Sequence, residues 1–363
     1  MPAPPRWLGN IRGALLEEVV LHLLQRVGYR TVKPGEEGTR NSGAGLLLLG
    51  RGTEHQIDAL AAYDHGPAFV YPIRVLVEAK CYFPPTKVEL PIVRNSVGVL
   101  KDVSENYVSH AVGAPAMSRF NYVSAIFSNT GFTTRTQHYA IAHQVFLIQY
   151  HRKSLLSKSI KGLLDLAAGH FHFDPTQPLP EGSINRVRMV FRGLLSRDLA
   201  LIGDVPVLTE AGFRHLEQNV IGQLQQIRGS YYGSLQGIWP VHLLSSTEIP
   251  QEAFADRDTL RCRISQRNDG QWFFAPSQNT TVPHFELEFD LPTEIGRMVA
   301  AVENDPLRLA QVKAEQFSFI DLTGIVGGVR RQVRLKLDRD WLNEYLRSKG
   351  FENGLDTEPP RPE

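Results

Sequence analysis

Val75-Leu76-Val77-Glu78-Ala79-Lys80 is the stretch that decides the fold of the N-terminal half. Its apolar residues predict a largely buried strand. Because successive side chains of a strand point to opposite faces, Glu78 and Lys80 project from the same side. A second extended segment, Gln56 to Tyr63, precedes this strand, and a hairpin-like return between the two would bring the carboxylate of Asp58 beside that of Glu78. The pattern therefore predicts two carboxylates and one ammonium group that meet on one face of a sheet.

Helices and strands alternate on both sides of this stretch. An apolar stripe at helical spacing from Ala14 to Arg26 predicts a helix that is closed by Gly28. After the central strand, Pro91 suits the first turn of a second helix. The segments that follow are predicted to be a strand over Tyr122–Phe127, a helix over Thr133–His143 and a short buried strand over Val145–Ile148. This order predicts an α/β domain.

The predicted cluster has a definite chemistry. Two carboxylates that converge with a backbone carbonyl and waters suit Mg²⁺, which prefers an octahedral shell of oxygen ligands. The ion can lower the pKa of its bound water and neutralise charge that builds on a phosphate oxygen, while Lys80 adds a compact positive charge near the attacking water. An aspartate followed by Glu-x-Lys on the next strand therefore favours metal-dependent phosphodiester hydrolysis. Taken alone, a Glu-x-Lys pattern on a strand is more often a surface charge pair than a catalytic pair; Asp58 and Glu17 in the expected order favour the catalytic interpretation.

Helix geometry selects a fourth residue. At about 100° per residue, Glu17 falls on the edge of the apolar stripe, whereas Glu18 points nearly opposite its centre. Only Glu17 could reach from the packed helix toward the strand ends. The alternative is that Glu17 is a boundary carboxylate that is hydrated at the rim of the helix.

At these residues the sequence resembles the Mrr-like branch of the PD-(D/E)xK restriction-endonuclease superfamily. The resemblance covers roughly residues 10–150 and rests on the order and spacing of five segments, which are Leu16–Tyr29, Ile57-Asp58, Val77–Lys80, Val88–Arg94 and Ser128–Thr133. It implies a restriction-endonuclease-like domain in which helices flank a mixed central sheet. It further implies DNA phosphodiester cleavage with Mg²⁺ as cofactor, for which Mn²⁺ could substitute.

By the same resemblance the active-site set would be Glu17, Asp58, Glu78 and Lys80. Asp58 and Glu78 would hold the metal, Glu17 would support it or a second ion, and Lys80 would orient the attacking water. Many members of this branch carry Gln where this chain has Glu78. The Gly-Asp-Gly-Gly that often precedes the aspartate is replaced by Gly52-Thr53-Glu54-His55-Gln56.

Several other side chains are candidates for contacts with nucleic acid. Gln56 shares a face with Asp58, and Arg94 and Lys101 lie seven residues apart on one predicted helix face, where they could meet the phosphate backbone. A solvated face is the alternative for these two cations. A cluster of arginines follows further along the chain, and it could contact nucleic acid or form salt bridges; its members are Arg186, Arg188, Arg192 and Arg197.

The length of 363 residues predicts two domains. We expect a nuclease domain over residues 1–172, a Pro-rich linker over 173–182, an α+β domain over 183–352 and a mobile tail over 353–363. Candidate strands of the second domain are Tyr232–Leu244, Leu260–Ile264, Trp272–Ala275, Phe285–Phe289, Phe317–Leu322 and Val333–Leu337. We find no metal cluster, nucleophile triad or phosphate loop in this part of the sequence, so a recognition, regulatory or partner-binding role is the natural expectation.

Charge and composition narrow the class of protein. Residues 1–155 carry 16 basic and 11 acidic residues, while residues 156–363 carry 23 and 27, so the half with the predicted chemistry is the basic one. No run approaches the ~18 apolar residues of a membrane span, and a secretory signal pattern is missing. We therefore expect a cytoplasmic protein without a membrane partner. Cys81 and Cys262 are too few to form a disulfide framework or a zinc site.

Three hypotheses about function follow from these patterns. The first is a Mg²⁺-dependent DNA endonuclease of restriction or antiphage defence, which could act as a homodimer. The second is a nuclease subunit of a multi-protein immune complex, for example with a short Argonaute, that is activated through its C-terminal domain. The third is a catalytically inactive nucleic-acid-binding module. The joint presence of Asp58, Glu78 and Lys80 argues against the third, because clustered carboxylates repel one another without a cation.

Overall fold

The structure, a computed structural model, describes residues 5–42, 45–64, 69–105, 118–150, 153–198, 207–254, 257–278, 281–351 and 354–355. It is mixed α/β and divides into two units. The N-terminal unit comprises Met1–Arg152 and Leu156–Gln226, and the C-terminal unit comprises Lys153–Leu155 and Ile227–Glu363. The division therefore lies beyond the predicted linker over residues 173–182. The predicted tail over 353–363 lies outside the described residues, apart from Gly354 and Leu355.

A five-stranded mixed sheet forms the centre of the N-terminal unit. The strands of this unit are β1 (Arg30–Thr31), β2 (Thr39–Ser42), β3 (Gly45–Leu49), β4 (Glu54–Ile57), β5 (Ala59–Tyr63), β6 (Ile73–Lys80), β7 (Asn121–Ser128) and β8 (Val145–Gln149). The central sheet has the order β1-β5-β6-β7-β8. β5 pairs with β6 in antiparallel fashion, which confirms the predicted hairpin-like return, and β6, β7 and β8 run parallel.

The N-terminal unit also contains helices, some of which contact strands of this sheet. They are α1 (Arg6–Arg26), α2 (Leu90–Ser104), α3 (Thr134–Ala142), α4 (Ser157–Leu164), α5 (Ser183–Ser196), α6 (Glu210–His215) and α7 (Gly222–Leu224), with a π-helical turn over Leu216–Ile221 between the last two. α1 begins earlier than the apolar stripe predicts, and its chain leaves the helix through Gly28 at φ 97°, in the left-handed region that favours glycine. α1 contacts both β6 and α5. Because α5 packs on α1, the residues after the predicted linker belong to the N-terminal unit.

A small antiparallel sheet, β2-β3-β4, adjoins the central one. Its β3–β4 turn is held by Asp102 of α2, whose carboxylate accepts hydrogen bonds from the backbone N–H of Gly52 at 2.9 Å and lies 2.7 Å from His55 Nε2. A Cβ on Gly50 would lie 2.0 Å from Asp102 Oδ2, so only glycine fits at this position. A single residue, Asp58, separates the end of β4 from the start of β5.

A closed barrel of seven strands forms the C-terminal unit. The strands are β9 (Gly229–Leu235), β10 (Trp239–Ser245), β11 (Thr259–Gln266), β12 (Trp272–Pro276), β13 (Leu287–Phe289), β14 (Phe319–Val326) and β15 (Val329–Leu337). Their order is β10-β13-β12-β11-β15-β14-β9, and β9 closes the barrel on β10. Every neighbouring pair is antiparallel except β11 and β15, which are parallel. The segment Tyr232–Leu244, predicted as one extended stretch, is a hairpin because Gln236 and Gly237 turn the chain with positive φ.

The core of this barrel is apolar, as the alternating strands predict. β11 alternates between exposed or half-exposed and buried residues along its length. Three helices, α8 (Thr293–Ala301), α9 (Pro306–Gln316) and α10 (Arg339–Ser348), contribute Ile295, Ala310 and Leu342 to the same core. None of the helices formed by the described residues is long and apolar enough to cross a bilayer.

Candidate active site

Asp58, Glu78 and Lys80 meet at the edge where β5 begins. Ala59 of β5 pairs with Val77 of β6, so Asp58, one residue earlier, faces Glu78. Lys80 Nζ lies 2.7 Å from Glu78 Oε1 and 4.0 Å from Asp58 Oδ2. The structure therefore brings the three residues together on one face, with the ammonium group between the two carboxylates.

Burial and charge act against each other within this cluster. Burial raises the pKa of Glu78, and the neighbouring Lys80 offsets this only in part. Burial by itself would lower the pKa of Lys80, but the attraction of Glu78 and Asp58 more than compensates and the pKa is raised. Lys80 is consequently held as an ammonium ion over the physiological pH range.

Glu17 reaches the same cluster from α1. Only 4% of the residue is exposed, so the alternative of a hydrated carboxylate at the helix rim is wrong. Burial raises the pKa of Glu17 to about 8, against the attraction of Arg188; Asp58 raises this pKa further and Lys80 lowers it. Arg188 Nη2 on α5 donates a hydrogen bond to Glu17 Oε2. In the described part of the chain, the other oxygen, Oε1, accepts no hydrogen bond.

Glu18 is buried as well, although sequence reasoning placed it on the far side of the helix from the core. It accepts hydrogen bonds from Arg188 Nη1 at 2.9 Å and from Arg192 at 2.5 and 2.7 Å. The physical reason is that α5 covers this side of α1. Of the two roles considered for the arginine cluster, Arg188 and Arg192 take that of salt bridges.

Sequence reasoning missed Arg188 as part of the site. Its spacing in the sequence could have indicated this role. Arg188 and Arg192 are four residues apart and share one helix face, so together they can pair with two adjacent glutamates on a neighbouring helix. That signal gives no indication of which acidic pair in the chain is the partner.

The cluster opens on a cleft of about 1110 Å³ within the N-terminal unit. α1, the β4–β5 junction, the end of β6 and α5 form its walls. The polar side chains that line it include Glu17, Gln56, Asp58, Lys80, Arg188 and Arg192. Glu78 does not line the cleft itself, and 21% of its side chain is exposed. The cleft thus presents carboxylates and cations side by side.

Two further sequence candidates have other surroundings. Arg94 and Lys101 lie on α2 and do not line this cleft; Arg94 stacks over Tyr139 at 5.7 Å, and Lys101 pairs with Glu105 at 3.5 Å. Their contact with a phosphate backbone stays a prediction. Cys81 is half-buried, and burial raises the pKa of its thiol to about 12, which disfavours the thiolate form.

Asp58 and Glu78 supply carboxylate oxygens, the type of donor that Mg²⁺ prefers. In the part of the chain that the structure describes, no three His, Cys, Asp or Glu side chains converge as a complete metal site. Mg²⁺ does not need such a trio, because it is held by one or two carboxylates together with waters and substrate phosphates. Asp58 Oδ2 and Glu78 Oε1 lie 4.0 and 2.7 Å from one nitrogen, hence at most 6.7 Å from each other, and already share one cation, the ammonium of Lys80.

No protein-family model matches the chain, and neither does any curated protein. Two solved structures are similar to it. The protein of unknown function AF1548 has a TM-score of 0.32 and 17% identity, over 59% of this chain and 96% of that one. The MspJI restriction endonuclease in complex with a 27-mer oligonucleotide has a TM-score of 0.24 and 18% identity, over 38% of this chain and 25% of that one. This chain therefore spans about a quarter of the second structure.

Proposed function

We propose that this protein is a Mg²⁺-dependent endonuclease that hydrolyses DNA phosphodiester bonds, with a restriction-endonuclease-like N-terminal domain of the Mrr-like type and a role in restriction or antiphage defence. One observation carries the proposal. Asp58 and Glu78 face each other on adjacent strands, Lys80 lies within 4.0 Å of both, and the cluster opens on a large cleft. Clustered carboxylates with one ammonium suit the hydrolysis of a phosphodiester bond.

Each residue has a defined role in this proposal. Asp58 and Glu78 would hold Mg²⁺, or Mn²⁺ in its place, and the bound ion would lower the pKa of a water and neutralise charge on the phosphate. Lys80, fixed by its hydrogen bond to Glu78, presents a compact positive charge that orients the attacking water. Glu17 keeps Oε1 free of protein partners in the described chain, and Arg188 fixes the orientation of its carboxylate through Oε2.

The walls of the cleft favour an anionic polymer as substrate. Lys33 lines it together with the amide of Gln56, and residues 1–155 are net basic. Cations raise the local concentration of a polyanion and position its backbone without reading its sequence. We infer that the phosphodiester chain enters along these side chains toward Lys80.

Supercoiled plasmid with purified full-length protein and Mg²⁺ provides the test. We expect nicking or linearisation that requires the metal and is lost in Lys80→Ala by at least ~100-fold, the usual size of one positioned proton-transfer or electrostatic contribution. Lys87→Ala is the matched control, because Lys87 is an exposed lysine near the same strand that does not line the cleft. Cleavage by Lys80→Ala at the rate of Lys87→Ala, with both proteins folded, would remove Lys80 from the mechanism.

A further inference from the structure

Neighbouring strands of the barrel carry a concentration of cations on their outer side. β14, β15 and β11 lie side by side in that order. We define the basic face by Arg261 and Arg263 on β11 and by Arg330, Arg334 and Lys336 on β15. Arg261, Arg263, Arg334 and Lys336 point outward because the residues that alternate with them are buried in the barrel core, namely Leu260, Cys262, Ile264, Val333, Leu335 and Leu337. Arg330 lies on the same side of β15 by the same period; Arg263 and Arg330 are half-exposed, and their Nε atoms are buried.

Two cations of the basic face stand directly opposite each other. Lys336 is the register partner of Arg261 in the parallel β11–β15 ladder. Like charges directly opposite on neighbouring strands are destabilising unless an anion lies between them. Arg261 is paired with Asp340 at 3.2 Å, an ion pair whose two ends are both largely exposed. Lys336 forms no ion pair with any of the residues that the structure describes, so this pair of cations keeps an excess of positive charge.

The next outward position along β15 combines a cation with an aromatic ring. Arg334 donates two hydrogen bonds to Asp321 at 2.6 and 2.8 Å, and its guanidinium lies 4.4 Å from the centre of the Phe319 ring. Phe319 is half-buried and belongs to the outer side of β14, opposite Lys336. The basic face therefore holds a planar cation stacked on a ring beside the Lys336–Arg261 pair.

This charge is local and does not reflect the composition of the unit. Residues 227–363 carry 16 basic and 20 acidic residues. The basic face gathers five of those 16 cations on two adjacent strands. Asp321 pairs with Arg334, and Asp340 pairs with Arg261. The cations are thus concentrated on one side of an otherwise acidic segment.

We propose that the basic face binds the sugar-phosphate backbone of DNA. Outward residues of one strand recur every ~6.7 Å, and neighbouring strands lie ~4.8 Å apart, so the cations form a row rather than a single pocket. A row of positive charges is complementary to a polyanion, and arginine side chains hydrogen-bond well to phosphate oxygens. A stacked aromatic ring is typical of surfaces that bind nucleic acid. This inference rests on the proposed function for the identity of the polymer, and it places binding on a surface separate from the catalytic cluster.

DNA binding without cleavage tests the proposal. Full-length Asp58→Ala protein would be titrated into a short fluorescein-labelled duplex, and into its single strand, in Ca²⁺ buffer over a range of salt concentrations. For the Lys336→Gln/Arg261→Gln variant we expect the slope of log affinity against log salt to fall by about 2 for the duplex, since each phosphate contact contributes ~0.9. At ~0.1 M salt this corresponds to a 10- to 100-fold weaker affinity.

The matched control removes the same charge elsewhere in the unit. Arg297 and Arg308 are exposed, lie on α8 and α9, and each pairs with an acid three residues away. Arg297→Gln/Arg308→Gln should leave the slope unchanged and the affinity within about twofold. Equal losses in the two double variants would mean that net charge alone governs binding, and an unchanged slope in Lys336→Gln/Arg261→Gln would overturn the proposal directly. If that double variant fails to fold, Lys336→Gln alone should lower the slope by about 1.

The outcomes separate this proposal from the proposed nuclease. If the protein never cuts plasmid, but Lys336→Gln/Arg261→Gln weakens its salt-dependent binding to DNA, the proposed nuclease is refuted and the binding surface is supported. If plasmid cleavage requires Lys80, but Lys336→Gln/Arg261→Gln leaves DNA binding unchanged, the nuclease is supported and the binding surface is refuted.

Discussion

The buried network between α1 and α5 makes a quantitative prediction about Arg188. Replacement by Met keeps an unbranched side chain of similar length and removes the guanidinium. Glu17 then loses its hydrogen bond to α5, whereas Glu18 keeps two from Arg192. Glu17 has a pKa of about 8 even with Arg188 in place, so Arg188→Met leaves a buried carboxyl group that takes up a proton, and the loss of the bonds from Arg188 to Glu17 and Glu18 should cost about 2–3 kcal/mol of unfolding free energy.

Arg192→Met is the matched comparison. The side chain of Arg192 is 45% exposed, and Glu18 retains its 2.9 Å bond to Arg188 when Arg192 is lost. We expect a smaller cost of about 1–2 kcal/mol, the size of charged hydrogen bonds in a partly hydrated setting. In a Glu17→Gln background the effect of Arg188→Met should shrink by about 1 kcal/mol, because an amide makes a weaker hydrogen bond to the guanidinium than a carboxylate does.

Urea unfolding of the full-length variants is the assay. Hydrogen-exchange mass spectrometry of peptides from α1 would assign the transition to the N-terminal unit, since a two-unit chain need not unfold in one step. If Arg188→Met costs no more than Arg192→Met, or if Glu17→Gln leaves its effect unchanged, the assignment of Arg188 as the partner that compensates Glu17 is refuted.

Three further predictions concern single sites. Burial lowers the pKa of His242 to about 3, so the unfolded chain binds a proton below pH ~6.5 while the folded chain does not. The free energy of unfolding should therefore fall by up to ~1.4 kcal/mol per pH unit between pH 6 and 4. The urea midpoint of His242→Gln should fall less over the same pH range. Burial also lowers the pKa of Lys313 to about 8, so between pH 8 and 10 the folded chain has lost this proton while the unfolded chain still binds it. The stability should therefore rise from pH 8 to 10. Thermal unfolding of Lys313→Met should show no such rise. Gly50→Ala should lower the free energy of unfolding by about 1–3 kcal/mol, because the new Cβ would lie 2.0 Å from Asp102. Gly98→Ala on α2 should raise it by up to ~1 kcal/mol, because no atom lies within 4 Å of the new Cβ. Equal melting temperatures of the two variants would contradict both predictions.

Local patterns of the sequence predicted much of the N-terminal unit. The alternation in Val75–Lys80 placed Glu78 and Lys80 on one face, and the structure has both there with Lys80 bound to Glu78. The helix starting near Pro91, the strand over Tyr122–Phe127 and the helix over Thr133–His143 are present with ends shifted by a few residues. These features depend on side-chain period and on capping residues, which are short-range properties.

The sequence by itself therefore determined the order of elements from β5 to β8, the pairing of β5 with β6 and the shared face of the acidic and basic groups, but not the strands β1 to β3. Only the tertiary structure decided that α5 packs on α1, that Arg188 binds Glu17 and Glu18, and that β11 and β15 close a barrel in parallel. Each of these joins residues more than 70 positions apart. Periodicity fixes which face of an element is apolar, but which distant face covers it depends on the burial and charge compensation of the whole unit, and a local pattern does not contain that information.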